Sequence, residues 1–184
     1  MIATSVSGLD ITAADQLTVL GLVAVAAVLG AALGAEREMA NKAAGVRTHM
    51  LVATGAALVV GVGDLLIHVD DGTGDPSRTL HGVITGLGFL GAGAIVRHRD
   101  ATVEGLTTAA SLWFAGAVGA GAGLGVPILA AGVTVIGLVV LRVVGRVEAR
   151  WIEADQGRRP TPGQEPADGA VVDEGPDDGG NPSV

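Results

Sequence analysis

Residues 17–35 read LTVLGLVAVAAVLGAALGA, 19 residues without a charge. At 1.5 Å of rise per residue, a helix of about 20 apolar residues crosses the ~30 Å hydrocarbon layer of a bilayer. Four more apolar runs follow outward from it, at residues 48–67, 80–96, 106–123 and 126–145, each 17 to 20 residues long. The third and fourth are short and Gly-rich. Together the runs predict an all-α, polytopic membrane bundle of five transmembrane helices. The 16 residues ahead of the first run carry no Lys or Arg but do carry Asp10 and Asp15. A secretory signal would have a basic start, so this stretch reads as an extracytoplasmic leader instead.

Composition supports the same class. Gly and Ala make up about a third of the 184 residues, and Phe89, Trp113, Phe114 and Trp151 are the only aromatics. Side chains this small bury little area, so a core driven by water would be weak. Between lipids they are useful, because they let helix backbones approach closely. The lipid bilayer is therefore the first partner. With no cysteine, disulfides, thiolate metal sites and thiol nucleophiles are excluded. No basic face suggests nucleic acid.

The net charge of −8 is unevenly placed. Residues 153–184 hold eight acids against Arg158 and Arg159, and they are rich in Pro and Gly. Such a stretch cannot offset its ordering entropy by burial, so it predicts a disordered acidic tail. Basic residues set the orientation. Arg37, Lys42 and Arg47 follow the first run, Arg97 and Arg99 follow the third, and Arg142, Arg146, Arg150, Arg158 and Arg159 follow the fifth. Placing these inside puts 10 of the 11 positive charges in the cytoplasm and leaves Arg78 outside. The expected topology is N-terminus out and C-terminus in. The expected organisation is a leader at 1–16, a five-helix domain at 17–146 and a cytoplasmic tail at 147–184.

Small residues recur at helical spacing at Gly30/Gly34, Ala53/Ala57, Gly82/Gly86 and Ala115/Gly119/Gly123. These steps predict close helix contacts, with Gly86 in a packing face of the third helix. The string GVITGLGFLGAG at 82–93 lacks the preceding strand that a nucleotide loop needs. Glu36, Arg37, Glu38, Lys42 and Arg47 crowd the inner ends of the first two helices, where charge is costly unless paired or snorkelled. One charge cluster is expected there. On the outer side, DDGTGD at 70–75 lacks the acidic twelfth ligand of an EF-hand, since His81 stands there. Its chemistry suits only a weak, hydrated Mg²⁺ contact, and no cofactor is expected. Asp75 and Pro76 read as the cap and first residue of a helix. Thr107 is placed to cap the fourth helix, and Ser111 to bond a neighbouring one. Near Ser111 in sequence stands only His98, so hydrolase chemistry has no base and the chain is expected not to be an enzyme.

Several strings, taken together, resemble the N-terminal membrane domain of the MgtC/SapB family. They are GAALGAERE (30–38), KAAGVRTHMLVATGAAL (42–58), DPSR (75–78), GLGFLGAGAIVRH (86–98) and GLTTAASLWFAGAVGAGAG (105–123). The resemblance implies a five-helix, multi-pass protein of the bacterial inner membrane, linked to magnesium homeostasis and survival when Mg²⁺ is scarce. It implies regulation of a membrane partner rather than direct transport. Its motif positions fall on Glu36, Arg37, Glu38, Lys42, Gly45, Arg47, Thr48, Asp75, Arg78, Gly105, Thr107 and Thr108. Glu104 stands where the family usually has a basic residue, and an acidic tail stands where some relatives carry a folded domain. Two functions are thus in view. One is a regulator acting on a membrane-protein partner or as a homo-oligomer; the other is an ion or small-solute pathway, such as a Mg²⁺ transporter or channel subunit. The absence of ionisable residues at the span centres favours the first.

Overall fold

The computed structural model describes residues 11–69, 74–97 and 102–156. Most of the expected leader, the acids Asp70 and Asp71, His98, and the tail from 157 onward lie outside the described residues. By internal contacts the chain divides into Met1–Arg146 and Val147–Val184. The described part forms five helices: α1 Ala13–Met39, α2 Val46–Val69, α3 Pro76–Gly93, α4 Leu106–Gly123 and α5 Pro127–Gln156. Between α3 and α4 lie two short antiparallel strands, β1 Val96–Arg97 and β2 Val103–Glu104, with Val96 opposite Glu104 and Arg97 opposite Val103.

Local chemistry sets the helix ends. Thr12 caps α1 in a reciprocal box with Asp15, whose carboxylate accepts the Thr12 N–H at 2.9 Å. α1 stops at Ala40, and Asn41 follows in the left-handed region at φ 54°, which Asn tolerates. Asp75 caps α3, with Pro76 at its first position as the sequence predicts. α4 differs from expectation. Its cap is Gly105 at φ 87°, with no side-chain cap bond, while Thr107 sits inside the first turn. A Cβ on Gly105 would strike the Ala94 carbonyl, so both backbone angle and space exclude a larger residue.

Among the described residues, three helices are long and apolar enough to cross a membrane: Ala13–Met39, Val46–His68 and Pro127–Gly145. The five expected spans thus appear as five helices, of which α3 and α4 fall short of that measure. Each has 18 residues, and glycines with hydroxyl or charged residues dilute their apolar content. The run expected at 80–96 also ends early, since α3 closes at Gly93 and Val96 enters β1. α5 continues as helix through Gln156, ten residues into the stretch read as tail. Its sequence there, VEARWIEADQ, is rich in helix formers.

Backbone contacts give the directions. Gly30 meets the His49 carbonyl and Ala53, Gly34 meets Val46, and Gly61 meets Val19, so α1 and α2 run antiparallel. Gly119 lies against Ala53 and Gly123 against Ala57, so α2 and α4 run parallel. Gly63 meets Thr79 and Gly116 meets Leu87, which sets α3 antiparallel to both. Gly137 meets Phe114, which brings α5 back along α4. The main core is mostly alanine: Ala26, Ala53, Ala57, Ala115, Ala122 and Ala130, with Leu33 and Val118. Larger apolar side chains such as Leu17, Val28, Leu51, Phe89 and Ile128 face outward. Small inside and large outside is the arrangement that lipid, rather than water, favours.

The expected packing role of Gly86 is not what the structure shows. A Cβ at Gly82 or Gly86 would meet nothing within 4 Å, and α3 approaches α4 through Leu87 and Gly91. A GxxxG step permits close approach but does not select which face of a helix makes it.

Candidate functional site

The alternating directions gather the C-terminal ends of α1 and α3 and the N-terminal ends of α2 and α4 at one end of the bundle. The turn between α1 and α2 is closed by Glu38, whose Oε2 accepts the Val46 N–H at 3.0 Å. That bond satisfies the first exposed donor of α2 and places a negative charge at the positive end of its dipole. The Lys42 N–H donates to the Arg37 carbonyl at 3.0 Å. With Gly34 lying against Val46, these contacts draw the last turn of α1 onto the start of α2.

A polar cluster is enclosed there. Glu36 is 7% exposed, Arg37 4% and His49 0%, and Thr108 and Ser111 are also buried. His49 Nδ1 lies 2.9 Å from the Gly45 carbonyl, and Nε2 lies 3.2 Å from Ser111 Oγ. The Ser111 hydroxyl donates to the Thr108 carbonyl at 2.9 Å. Ser111 thus bonds a neighbouring helix as expected, and the bond ties α2 to α4. The Glu36 and Arg37 charges both act on the His49 ring. Among the described residues, Glu36 Oε2 and Arg37 Nε and Nη2 are buried without a hydrogen-bond partner. Nε and Nη2 form the edge of the guanidinium that grips a carboxylate or phosphate with two parallel bonds. Leaving such groups unpaired costs about 1–3 kcal/mol each, and more when charged.

The expected cluster of five charges is therefore split. Glu36 and Arg37 turn inward, while Glu38, Lys42 and Arg47 are exposed, as is Thr48. Helix geometry is the reason. Glu36 and Arg37 lie one turn beyond the buried Leu33 and Gly34, whereas Glu38 and Lys42 have already left that stripe. Thr108 joins the buried group and Thr107 faces out. Asp75 and Arg78 lie at the opposite end of the bundle, both exposed. The Ser77 hydroxyl and N–H donate to the Asp75 carboxylate at 2.8 and 2.9 Å and hold it below its ordinary range. Among the described residues no group of three potential metal-ligating side chains comes together.

The sequence gives Ser111 no nearby base, whereas the structure sets His49 Nε2 3.2 Å from its Oγ; His98 lies outside the described residues. A signal was available. His49, Ala53, Ala56/Ala57 and Val60 recur at helical spacing, as do Ser111, Ala115, Val118 and Ala122, and both rows are buried.

Comparison with known proteins bears on the whole of this arrangement. A model of the MgtC family matches residues 23–150. The chain is 34% identical over 152 residues to an uncharacterised protein of Haemophilus influenzae, covering 80% of this chain and 63% of that one. It is 40% identical over 131 residues to an Escherichia coli K12 protein named "Putative magnesium transporter YhiD", covering 68% of this chain and 60% of that one. With "Protein MgtC" of Salmonella typhimurium it shares 43% identity over 107 residues, covering 58% of this chain and 43% of the relative. The chain thus spans about three fifths or less of these relatives' own lengths. No solved structure matches it.

Proposed function

Because this chain belongs to the MgtC family, we propose that it is a multi-pass protein of the bacterial inner membrane. It serves magnesium homeostasis and survival at low Mg²⁺ by regulating a membrane-protein partner. The reading needs no enzymatic step and no resident cofactor. Its magnesium side is supported by the family and by the name the E. coli relative carries. Its regulatory side is supported by one observation above all. The end of the bundle holds a buried guanidinium edge and a buried carboxylate oxygen, each without a partner among the described residues. Buried charge is retained against its cost where it is used, and an unpaired two-pronged donor has the geometry that a carboxylate fits. The midsection of the bundle, by contrast, is filled by Ala26, Ala57, Val118 and Ala122.

Transport remains the second reading, favoured by the E. coli relative's name. Growth and flux separate the two. Deletion of the gene is expected to impair growth at low external Mg²⁺. Glu36→Ala and Arg37→Ala should reach the membrane at parental abundance yet fail to restore that growth. The purified chain in liposomes is expected to pass no Mg²⁺ above empty vesicles. Saturable flux would replace regulation with transport, and normal growth of the deletion strain would remove the magnesium role. Growth that falls only in step with protein abundance would reduce Glu36 and Arg37 to structural residues.

A further inference from the structure

The Gly45 carbonyl, the two ring nitrogens of His49, Ser111 Oγ and the Thr108 carbonyl form one chain of three polar contacts, at 2.9, 3.2 and 2.9 Å. Both ends of that chain are carbonyl oxygens, which only accept. Three contacts therefore need three hydrogens. A neutral imidazole brings one and the Ser111 hydroxyl brings one. With Nδ1–H on the Gly45 carbonyl, Nε2 has to accept from Ser111, whose single hydrogen is then lost to the Thr108 carbonyl. If Ser111 donates to Thr108 instead, Nε2 and Oγ face each other as two lone pairs. Only the imidazolium, a donor at both nitrogens, closes all three contacts.

From this count we propose that the His49–Ser111 pair is a proton-binding site, whose occupancy sets whether the Ser111 hydroxyl donates to the Thr108 carbonyl on its own helix or to the ring on α2. The charged groups that act on the ring come from α1, namely Glu36 and Arg37. α4 contributes Ser111 and the Thr108 carbonyl, and α2 contributes the Gly45 carbonyl through the turn below the ring. For an imidazolium Glu36 is the counter-charge, while the Arg37 guanidinium repels it. When the proton is bound, Nε2 donates to Ser111 across the helix seam. On its release Ser111 turns its hydroxyl to Nε2, so the seam contact reverses direction and the bond to the Thr108 carbonyl within α4 is given up. The site thus lies on the seam between α2 and α4, where proton concentration decides the direction of the Ser111 bond. It goes beyond the magnesium reading and does not depend on it.

Histidine ¹⁵N shifts of the full chain in lipid nanodiscs test this from about pH 5 to about pH 8, the range in which imidazole titrates. Replacing His68, His81 and His98 by Gln one at a time identifies the His49 signal as the one common to all three samples. The expected spectrum has both His49 nitrogens protonated at the acid end of the range. Ser111→Ala removes the need for the third hydrogen, so its ring should release the proton about one pH unit lower, a tenfold weaker hold. Ser111→Thr, which keeps the hydroxyl, should restore the parental profile. A His49 ring that is neutral at every pH in the parental chain would overturn the proposal. So would a Ser111→Ala profile that coincides with the parental one.

Discussion

At Gly105 the backbone turns from β2 into α4 at φ 87°, with the Ala94 carbonyl pressed where a Cβ would stand. Left-handed backbone costs an L-residue about 1–2 kcal/mol, and the clash adds to it. Gly105→Ala is therefore expected to lower the melting temperature in detergent clearly. An unchanged value would mean that the turn relaxes freely. Asp75 gives a pH-dependent counterpart at the other end of the bundle. Its carboxyl is held below the ordinary 3.8 by the Ser77 hydroxyl first and the Ser77 N–H second. The ionised form is thus favoured by folding, and its contribution is full above 3.8 and fades as pH falls through the lower, folded value. Asp75→Ala should lower thermal stability at neutral pH, with the gap to the parental chain closing in strong acid. A gap that is constant with pH would show that the cap acts without its charge.

Two glycines of similar appearance diverge at the scale of the element. A Cβ on Gly34 would lie 2.6 Å from Val46 Cα, whereas one on Gly86 would meet nothing within 4 Å. Gly34→Ala is expected to push α1 from α2 and to cost about 1–3 kcal/mol, as overpacking does. Gly86→Ala should be neutral or gain up to about 1 kcal/mol, because Ala is the better helix former. Thermal melts of the two variants side by side check this. A large loss at Gly86 would mean that its face is packed against something outside this chain. Both glycines belong to GxxxG steps, so their difference comes from helix rotation and not from the motif.

For the whole molecule, direction and charge agree. The contacts run α1 against α2, α2 with α4, and α3 against both, so the helices alternate in direction. Arg37, Lys42 and Arg47 then share an end of the bundle with β1 and β2, and Arg78 stands at the other. Reporter fusions after Ala44 and Asp100 are expected to read cytoplasmic, and fusions after Ala14, Gly72 and Gly125 extracytoplasmic. An inside signal at Gly72 would mean that α2 does not cross. An outside signal at Asp100 would mean that α3, with its 18 residues, does not.

What could be read from the sequence depends on one-dimensional quantities. The apolar run at 17–35, the basic residues after it, and Asp75 ahead of Pro76 each act over a few neighbouring residues, and each appears in the structure as helix, charged end and cap. Glu36 and Arg37 were visible for the same reason, as charges closing an apolar helix. Which face of each helix turns inward was not legible, because that depends on how all the helices fill one space together. Packing alone decided that Gly34 touches a backbone and Gly86 does not, and that Arg37 is enclosed while Arg47 is exposed. It also brought His49 to Ser111 across 62 residues of sequence. No local propensity encodes that distance; it follows from the antiparallel and parallel contacts of small residues that set α2 beside α4.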